Sequence, residues 1–330
     1  MVTEKNIGKL VVLGTGGTIA GIAANASDNI GYTAAQVGVT QLLGTVAGLP
    51  RVLSGHTLEG EQVAQLDSKD MSFSVWIKLA QRVVYHLSQA DTIGVVITHG
   101  TDTLEETAFF LQSVLPAELV NAKPVVLTCA MRPASAQSPD GPQNLLDSVA
   151  VALTEGAHGV VVVCAGVVHG ALDVQKYHTY RLDAFTSGDA GALAYVEESV
   201  VRLVKNWPQA PVNATEITIV NIANSPQWPR VEIVMNYAGV TGALVDALLL
   251  PMPGVVPIRG LVVASTGNGT MHNDLAVALR RAQTRGVRVV RSTRCALGRV
   301  LAATDPEFQH SNGLTPVKAR IALMLQLMQG

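Results

Sequence analysis

The stretch IGVVITHGTDTLEE, residues 93–106, is a short Val-rich run followed by a polar turn and the start of a helical pattern. Continuous β-branched runs of this length are typical of strands buried on both faces of a parallel sheet. Such runs alternate along the chain with amphipathic stretches, which predicts an α/β fold with mostly parallel sheets and crossover helices. The predicted strands include 10–13, 93–98, 125–129, 160–164, 231–235, 261–264 and 287–290.

Two helices are well marked in the sequence. From 74 to 87 the helical period places Val75, Leu79, Val83 and Leu87 on one face. Thr315 and Pro316 have the residue types of a helix cap and a first helical position. We therefore predict a helix over 74–87 and a final helix that begins near residue 316.

The stretch 200–228 is rich in Pro and Asn and loses its periodicity, although part of it is compatible with an extra strand. A chain of 330 residues is also longer than one hydrophobic core usually serves. We predict two α/β domains, a larger amino-terminal one over 1–199 and a smaller carboxyl-terminal one over 229–330. Residues 200–228 would link them.

Composition limits the possible partners and compartments. The chain is 48% hydrophobic and carries a net charge of -2, with basic residues spread along it, so nucleic acid and anionic membranes are not expected partners. Its apolar runs are too short to span a bilayer. Cys129, Cys164 and Cys295 are far apart and odd in number, which favours free thiols. With no signal peptide expected at the amino terminus, we predict a cytoplasmic protein, although a processed periplasmic chain is also compatible.

The first motif with chemical potential is TGGTIA, residues 15–20, directly after the first predicted strand. Its glycines permit a tight turn and close backbone approach to a ligand, and its N–H groups suit an anion or an oxyanion. A turn in which Thr18 bonds its own backbone is an equal alternative. A dinucleotide fingerprint is disfavoured because Ile19 occupies the position of its third glycine, and the Gly-Lys-Thr ending of a P-loop is absent.

The second motif is THGTDTLEE, residues 98–106, where a predicted strand gives way to a helix. Open α/β sheets bind ligands in the crevice at this end of their strands. A helix capping box, either Asp102 with Glu105 or Thr103 with Glu106, is a competing explanation. His99 by itself is more often a satisfied interior histidine than a catalyst. A cap nevertheless leaves the His-Gly-Thr sequence before it unexplained.

Together, TGGTIAG and GVVITHGTDTLEETAFFL resemble the two signature segments of bacterial L-asparaginases, especially the type II branch. The resemblance extends over nearly the whole chain, through SKDM at 68–71, AMRPASAQSPDGPQNL at 130–145, DVQK at 173–176, GNGT at 267–270 and VRSTR at 290–294. It implies a homotetramer built as a dimer of intimate dimers, with each site between two subunits. It implies neither a metal nor a cofactor.

The resemblance also implies roles for individual residues. Thr18 would be the nucleophile that forms an acyl-enzyme, and Tyr32 would assist its activation. Thr101, Asp102 and Lys176 would form a second triad, in which a buried, neutral Lys176 acts as a base. Backbone N–H groups near Thr18 and Thr101 would stabilise the oxyanion.

Substrate contacts are implied in the same way. Ser68 and Asp102 would hold the α-carboxylate and α-amino group of the amino-acid substrate, L-asparagine or possibly L-glutamine. Ala130 would line the pocket. Lys69 departs from the family, which has a glutamine there, and we expect its ammonium to pair with the substrate carboxylate or with Asp70.

Three further departures separate this chain from well-known members of the family. Thr270 replaces an asparagine that reaches the neighbouring subunit's site, although its hydroxyl still forms hydrogen bonds. Glu307 is a candidate for the acidic residue that this neighbour donates, but the alignment does not fix it. Gln89 and Ala117 occupy the positions of a disulfide found in periplasmic members. The lack of cysteine at these two positions favours a cytoplasmic location.

The sequence leaves several functions open. L-asparaginase ranks first and a mixed glutaminase-asparaginase second, because one methylene in a pocket is worth only about 1–3 kcal/mol. The asparaginase-like subunit of a tRNA-dependent amidotransferase carries an additional domain before TGGT, for which residues 1–14 leave no room. A binding module without catalysis, with the threonines as caps, ranks last.

Overall fold

The computed structural model describes residues 7–210, 219–223, 225, 227–301 and 307–329. The chain divides into two compact units, Met1–Ile219 and Val220–Gly330. Both have α/β architecture, as predicted. Residues Val200–Leu203, at the start of the stretch 200–228 expected to link the domains, form a strand of the first unit's sheet. The rest of the domain assignment stays a prediction.

The first unit contains an eight-stranded sheet and two short ribbons. Its strands are, in chain order, β1 (Lys9–Gly16), β2 (Ile22–Ala23), β3 (Tyr32–Thr33), β4 (Thr57–Leu66), β5 (Thr92–Thr98), β6 (Pro124–Thr128), β7 (Gly159–Cys164), β8 (Val167–Gly170), β9 (Gln175–Lys176), β10 (Phe185–Thr186), β11 (Ala194–Glu197) and β12 (Val200–Leu203). The large sheet has the order β12-β11-β8-β7-β6-β5-β1-β4, while β2–β3 and β9–β10 form the ribbons.

Five neighbouring strands of the large sheet, β4, β1, β5, β6 and β7, run parallel. The other three are antiparallel additions at one edge. Val95, Val96 and Ile97 of β5 have no solvent-exposed surface, as expected for a central strand covered on both faces. The polar turns therefore follow strands whose carboxyl ends lie along one edge of the sheet.

Among the described residues of the first unit, six helices accompany this sheet, namely α1 (Val39–Gly44), α2 (Leu49–Leu53), α3 (Phe73–Leu87), α4 (Leu104–Val114), α5 (Ala117–Val120) and α6 (Gly141–Ala152). Short 3-10 helices cover Thr18–Ala20, Ser68–Asp70 and Gly188–Ala190. Helix α3 confirms the prediction for 74–87, and Leu79, Val83 and Leu87 are buried as expected. Ser72 caps it by accepting a hydrogen bond from the Val75 N–H at 3.4 Å.

The second unit has a parallel sheet in the order β13-β14-β15-β16. Its elements are α7 (Ile219–Ala223), which begins at the division between the units, β13 (Arg230–Met235), α8 (Ala243–Leu248), β14 (Ile258–Ser265), α9 (Asn273–Thr284), β15 (Arg288–Thr293), β16 (Gln309–His310) and α10 (Pro316–Met328). Thr315 is the N-cap residue of α10, but its hydroxyl forms no capping hydrogen bond. Among the residues with described positions, no helix combines the length and apolar character needed to cross a bilayer.

Candidate active site

The two motifs meet at the carboxyl edge of the first unit's sheet. Strand β1 leads into the turn at Gly17, and its neighbour β5 leads into the turn at Gly100. A Cβ atom on Gly17 would lie 2.3 Å from Gly100 Cα, so the two backbones are in contact. Gly17 also has φ 81°, which favours glycine. A side chain at either position would separate the turns.

Thr18 begins the 3-10 helix after this turn, and its side chain faces Tyr32. The two hydroxyl oxygens are 2.7 Å apart, and either can donate. Tyr32 lies in the β2–β3 ribbon, where it pairs with Ala23. Thr18 is 7% exposed, so its hydroxyl is shielded from bulk water and has a phenol oxygen as its neighbour.

Thr101, Asp102 and Lys176 form a second polar cluster. The Lys176 Nζ donates to Thr101 Oγ1 at 2.8 Å and to Asp102 Oδ1 at 2.7 Å. The Lys176 side chain is 20% exposed, so it is less deeply buried than the resemblance implies. Its backbone N–H donates to Glu105 Oε2 at 2.9 Å. The Asp102 carboxylate therefore bonds the side-chain amine of Lys176, and the Glu105 carboxylate bonds its backbone N–H.

Ser68 connects β4 to the turn after β5. Its hydroxyl oxygen accepts from the Asp102 N–H at 3.1 Å, and its carbonyl accepts from the Thr103 hydroxyl at 2.8 Å. Thr103 is the N-cap residue of α4, yet its side chain makes no capping bond. Thr103 therefore does not supply the hydroxyl half of a capping box, because its side chain bonds the Ser68 carbonyl on another segment.

His99 is a satisfied interior histidine. Its Nδ1 is 2.7 Å from the Gly100 carbonyl oxygen, and its Nε2 is 2.9 Å from Thr107 Oγ1. The Trp76 indole N–H donates to the same hydroxyl at 2.8 Å. Complete burial lowers the pKa of His99 to about 4, so the ring is neutral at physiological pH.

Lys69 pairs with a carboxylate, but the partner is Asp67 and not Asp70. Its Nζ lies 2.9 Å from Asp67 Oδ2, and the Lys69 side chain is 65% exposed. The hydrogen bond to Asp67 raises the pKa of Lys69, with smaller contributions from the charges of Asp70 and Asp102. Asp67 also accepts a hydrogen bond from the Lys69 backbone N–H at 3.3 Å. Its carboxylate therefore bonds both the backbone and the side chain of Lys69.

Ala130 follows β6, the strand next to β5, and is fully buried. Asp140 fixes this turn by accepting from the N–H groups of Met131 and Arg132, both at 2.9 Å. Asn144 adds a hydrogen bond to the Cys129 carbonyl at 2.9 Å. Ala130 thus lies in a turn that side-chain hydrogen bonds hold at the end of the strand next to β5.

The remaining predicted residues lie in the second unit. Thr270 closes the turn after β14, where its hydroxyl donates to the Thr266 carbonyl at 3.1 Å. Glu307 accepts from Arg280 Nη2 at 3.0 Å. Within the described ranges, no three His, Cys, Asp or Glu side chains gather as metal ligands would.

Three supporting residues escaped sequence reasoning. Asp67 bonds Lys69, Glu105 bonds the Lys176 backbone, and Thr107 bonds His99. Asp67 lies next to Ser68 and two positions before Lys69, so the sequence already showed a carboxylate close enough to pair with that lysine. Thr107 gives no such signal, because a threonine inside a helix usually indicates only packing.

Two family models match the chain. The model described as "Asparaginase, N-terminal" matches residues 9–209, and the one described as "Glutaminase/Asparaginase C-terminal domain" matches residues 230–330. Both motif turns lie within the first match.

Three curated proteins are similar over nearly their whole length. "Probable L-asparaginase periplasmic" of Haemophilus influenzae is 36% identical, covering 97% of this chain and 88% of that protein. "L-asparaginase 2" of Escherichia coli is 35% identical, with coverages of 97% and 89%. "Glutaminase-asparaginase" of Pseudomonas fluorescens is 34% identical, with coverages of 98% and 88%.

A solved structure shares the fold as well. The crystal structure of a "Probable Cytoplasmic L-asparaginase" from Campylobacter jejuni has a TM-score of 0.88 and 33% identity. The match covers 98% of this chain and 96% of that one.

Proposed function

We propose that this chain, which belongs to the asparaginase family, hydrolyses the side-chain amide of L-asparagine to give L-aspartate and ammonia. The observation that carries the proposal is the contact between the turns at Gly17 and Gly100. Thr18, which is paired with a tyrosine, follows the first of these glycines, and Thr101, which is paired with a lysine, follows the second. Such pairs supply a nucleophile and a base, which amide hydrolysis requires.

In the first half-reaction, the Thr18 oxygen attacks the side-chain amide carbon of the substrate. Its proton leaves by way of the Tyr32 oxygen 2.7 Å away. The tetrahedral intermediate then expels ammonia, whose nitrogen takes up this same proton from Tyr32 as the carbon–nitrogen bond breaks. The product is an ester between Thr18 and the aspartyl group.

In the second half-reaction, water attacks this ester and restores the Thr18 hydroxyl. In this step Lys176 is neutral and acts as the base: its Nζ accepts the proton of the Thr101 hydroxyl 2.8 Å away, while that hydroxyl takes the proton of the attacking water. The Asp102 carboxylate orients Lys176 and stabilises it when it takes up the proton. The backbone N–H of Thr101 and those near Thr18 bind the oxyanion in both steps.

Substrate recognition falls to the turn after β4 and to Asp102. The Asp102 carboxylate, half exposed at this edge, binds the α-ammonium group, while Ser68 binds the α-carboxylate. Lys69 stands at the rim with its charge neutralised by Asp67. Ala130 forms the wall of the pocket.

A mixed glutaminase-asparaginase is the second candidate. Proteins named "Glutaminase-asparaginase" from Pseudomonas fluorescens and Acinetobacter glutaminasificans are 34% and 35% identical to this chain. These identities match the 35% shared with an L-asparaginase from Escherichia coli, so overall similarity favours neither activity.

A coupled ammonia assay on both amides tests the two functions. We expect turnover of L-asparagine at a kcat/KM at least ~10-fold above that for L-glutamine, which is the scale of one methylene in a pocket. Comparable values for the two amides would favour the mixed activity. A purified, folded protein that releases ammonia from neither amide would refute both candidates.

We further propose a cytoplasmic homotetramer assembled from intimate dimers. Thr270 of each subunit would then complete the site of its partner. The three cysteines are free, which is compatible with a reducing compartment. The relatives are divided on the compartment, since one is named periplasmic and the structural neighbour cytoplasmic.

A further inference from the structure

The turn at Gly100 is supported by a buried chain of hydrogen bonds that the proposed mechanism does not use. The chain runs from the Trp76 indole in α3 to the Thr107 hydroxyl in α4, then through the His99 ring to the Gly100 carbonyl. All three side chains are buried. The chain therefore connects two helices to the backbone of the proposed active site.

The direction of every hydrogen bond in this chain is determined by chemistry. A carbonyl oxygen accepts and never donates, so the His99 Nδ1 carries the proton that bonds Gly100. Because the ring is neutral, Nε2 has a lone pair and accepts from the Thr107 hydroxyl. The Trp76 N–H can only donate, and it occupies the acceptor side of the same hydroxyl. With these directions, the Trp76 N–H, the Thr107 hydroxyl, both His99 nitrogens and the Gly100 carbonyl all have a hydrogen-bond partner.

The end of this chain bears directly on the oxyanion site. The Gly100 C=O and the Thr101 N–H belong to one planar peptide group, so fixing the oxygen fixes the direction of the N–H. A hydrogen bond to the carbonyl also polarises the peptide and strengthens its N–H as a donor. Glycine at position 100 leaves this peptide free to rotate unless something holds it.

We propose that His99 is a positioning residue that aims the Thr101 N–H at the oxyanion, and that Thr107 holds the His99 ring in the orientation that this requires. The inference rests on the proposed function, in which the Thr101 N–H binds the oxyanion. Without the Thr107 hydroxyl, the Gly100 carbonyl still favours the proton on Nδ1, but Nε2 loses its partner and the ring is held by one hydrogen bond in place of two. The ring is then free to tilt, and the Gly100–Thr101 peptide that it holds can turn with it.

The variants Thr107→Val and Thr107→Ser separate the hydroxyl from the methyl group. Loss of one oxyanion donor typically lowers kcat by ~10²–10³. A misdirected donor loses part of that effect, so we expect Thr107→Val to lower kcat by ~10-fold or more with little change in KM. Thr107→Ser keeps the hydroxyl and is expected to stay within ~2-fold of the wild type. Wild-type kcat in Thr107→Val, or an equal loss in Thr107→Ser, would overturn the inference.

Thr92→Val is the matched control. Thr92 is equally buried, lies at the opposite end of β5, and its hydroxyl has no hydrogen-bond partner among the described residues. The control is expected to retain wild-type kcat. A loss there equal to that of Thr107→Val would attribute the effect to general packing and overturn the inference.

The tautomer itself can be observed on the wild-type protein, whether or not a variant folds. Neutron diffraction, or long-range ¹H–¹⁵N correlation with labelled histidine, locates the ring proton. We expect it on Nδ1 of His99, and a proton on Nε2 alone would overturn the inference. A wild-type protein that releases no ammonia would instead refute the proposed function.

Discussion

At the scale of single residues, the two proposed catalytic threonines differ in their partners. Thr18 bonds the Tyr32 hydroxyl, while Thr101 bonds the amine of Lys176. Both lie in turns whose glycines touch. Their side chains therefore belong to one arrangement and are expected to act as a unit.

Replacing either threonine should abolish turnover without unfolding the protein. We expect Thr18→Ala and Thr101→Val each to lower kcat by ~10³-fold or more, and the double variant to lose little beyond either single one. Circular dichroism and the ammonia assay on all three variants check this. Two structural threonines would instead reduce stability additively and leave kcat largely intact.

The Lys69–Asp67 pair predicts opposite effects on substrate affinity. Lys69→Gln leaves the Asp67 carboxylate unpaired near the substrate ammonium, so KM for L-asparagine should fall. Asp67→Asn leaves the Lys69 ammonium unpaired, so KM should rise. Both shifts should be modest, about 2- to 5-fold, because the pair is exposed and screened. Steady-state kinetics at low and moderate salt measure both. Unchanged KM in both variants would mean that neither charge is felt by the substrate.

At the scale of elements, helix α6 contains a buried carboxyl group, Asp147, whose burial disfavours the charged form. Asp147 is buried in a helix that packs on the sheet, and its Oδ1 accepts from Gln143 at 2.8 Å. Burial raises the pKa of Asp147 to about 6, with a smaller contribution from the charge of Glu198. The same helix holds the turn at Ala130 through Asp140 and Asn144.

Asp147 should destabilise the protein above pH 6. Below the unfolded pKa of 3.8, both states are protonated and no penalty arises. As pH rises from there to about 6, the unfolded state ionises first, so stability falls, and the loss is complete above that pH. Asp147→Asn should therefore stabilise at pH 7.5, by about 1–2 kcal/mol after allowance for solvent screening. Urea unfolding at pH 4.5 and 7.5 tests this, and an equal effect at both values would contradict it.

At the scale of the whole molecule, the proposed function calls on residues of both units, contributed by different subunits. Thr18, Thr101 and Lys176 belong to the first unit, while Thr270 belongs to the second. In the proposed assembly, Thr270 of one subunit serves the site of another. Activity should then depend on association.

Sedimentation should show a homotetramer at assay concentrations, and specific activity should fall on dilution below the dissociation range. Thr270→Val should lower kcat/KM while Thr266→Val, which alters the same turn, should have a smaller effect. A monomer with full specific activity would exclude the shared site and the role of Thr270 together.

The sequence by itself determined the class of fold, most strand positions and the location of both motifs. A strand covered on both faces needs apolar residues at successive positions, so a continuous Val-rich run such as 93–98 predicts one without knowledge of its neighbours. Open α/β sheets bind ligands at the carboxyl ends of their strands, which marked the turn after β5 as a candidate site, whereas the contact between the turns at Gly17 and Gly100 is seen only in the structure. The family resemblance then selected Tyr32 and Lys176, which no local pattern distinguishes.

Only the tertiary structure decided how the polar groups pair. Lys176 reaches Thr101 across 75 positions, and Trp76 reaches Thr107 across 31. Lys69 pairs with Asp67 and not with Asp70, and Glu105 bonds the Lys176 backbone. Both pairings depend on the directions of side chains within packed turns. Residue type fixes which groups are able to bond, whereas strand register and helix packing fix which of them come within 3 Å of each other.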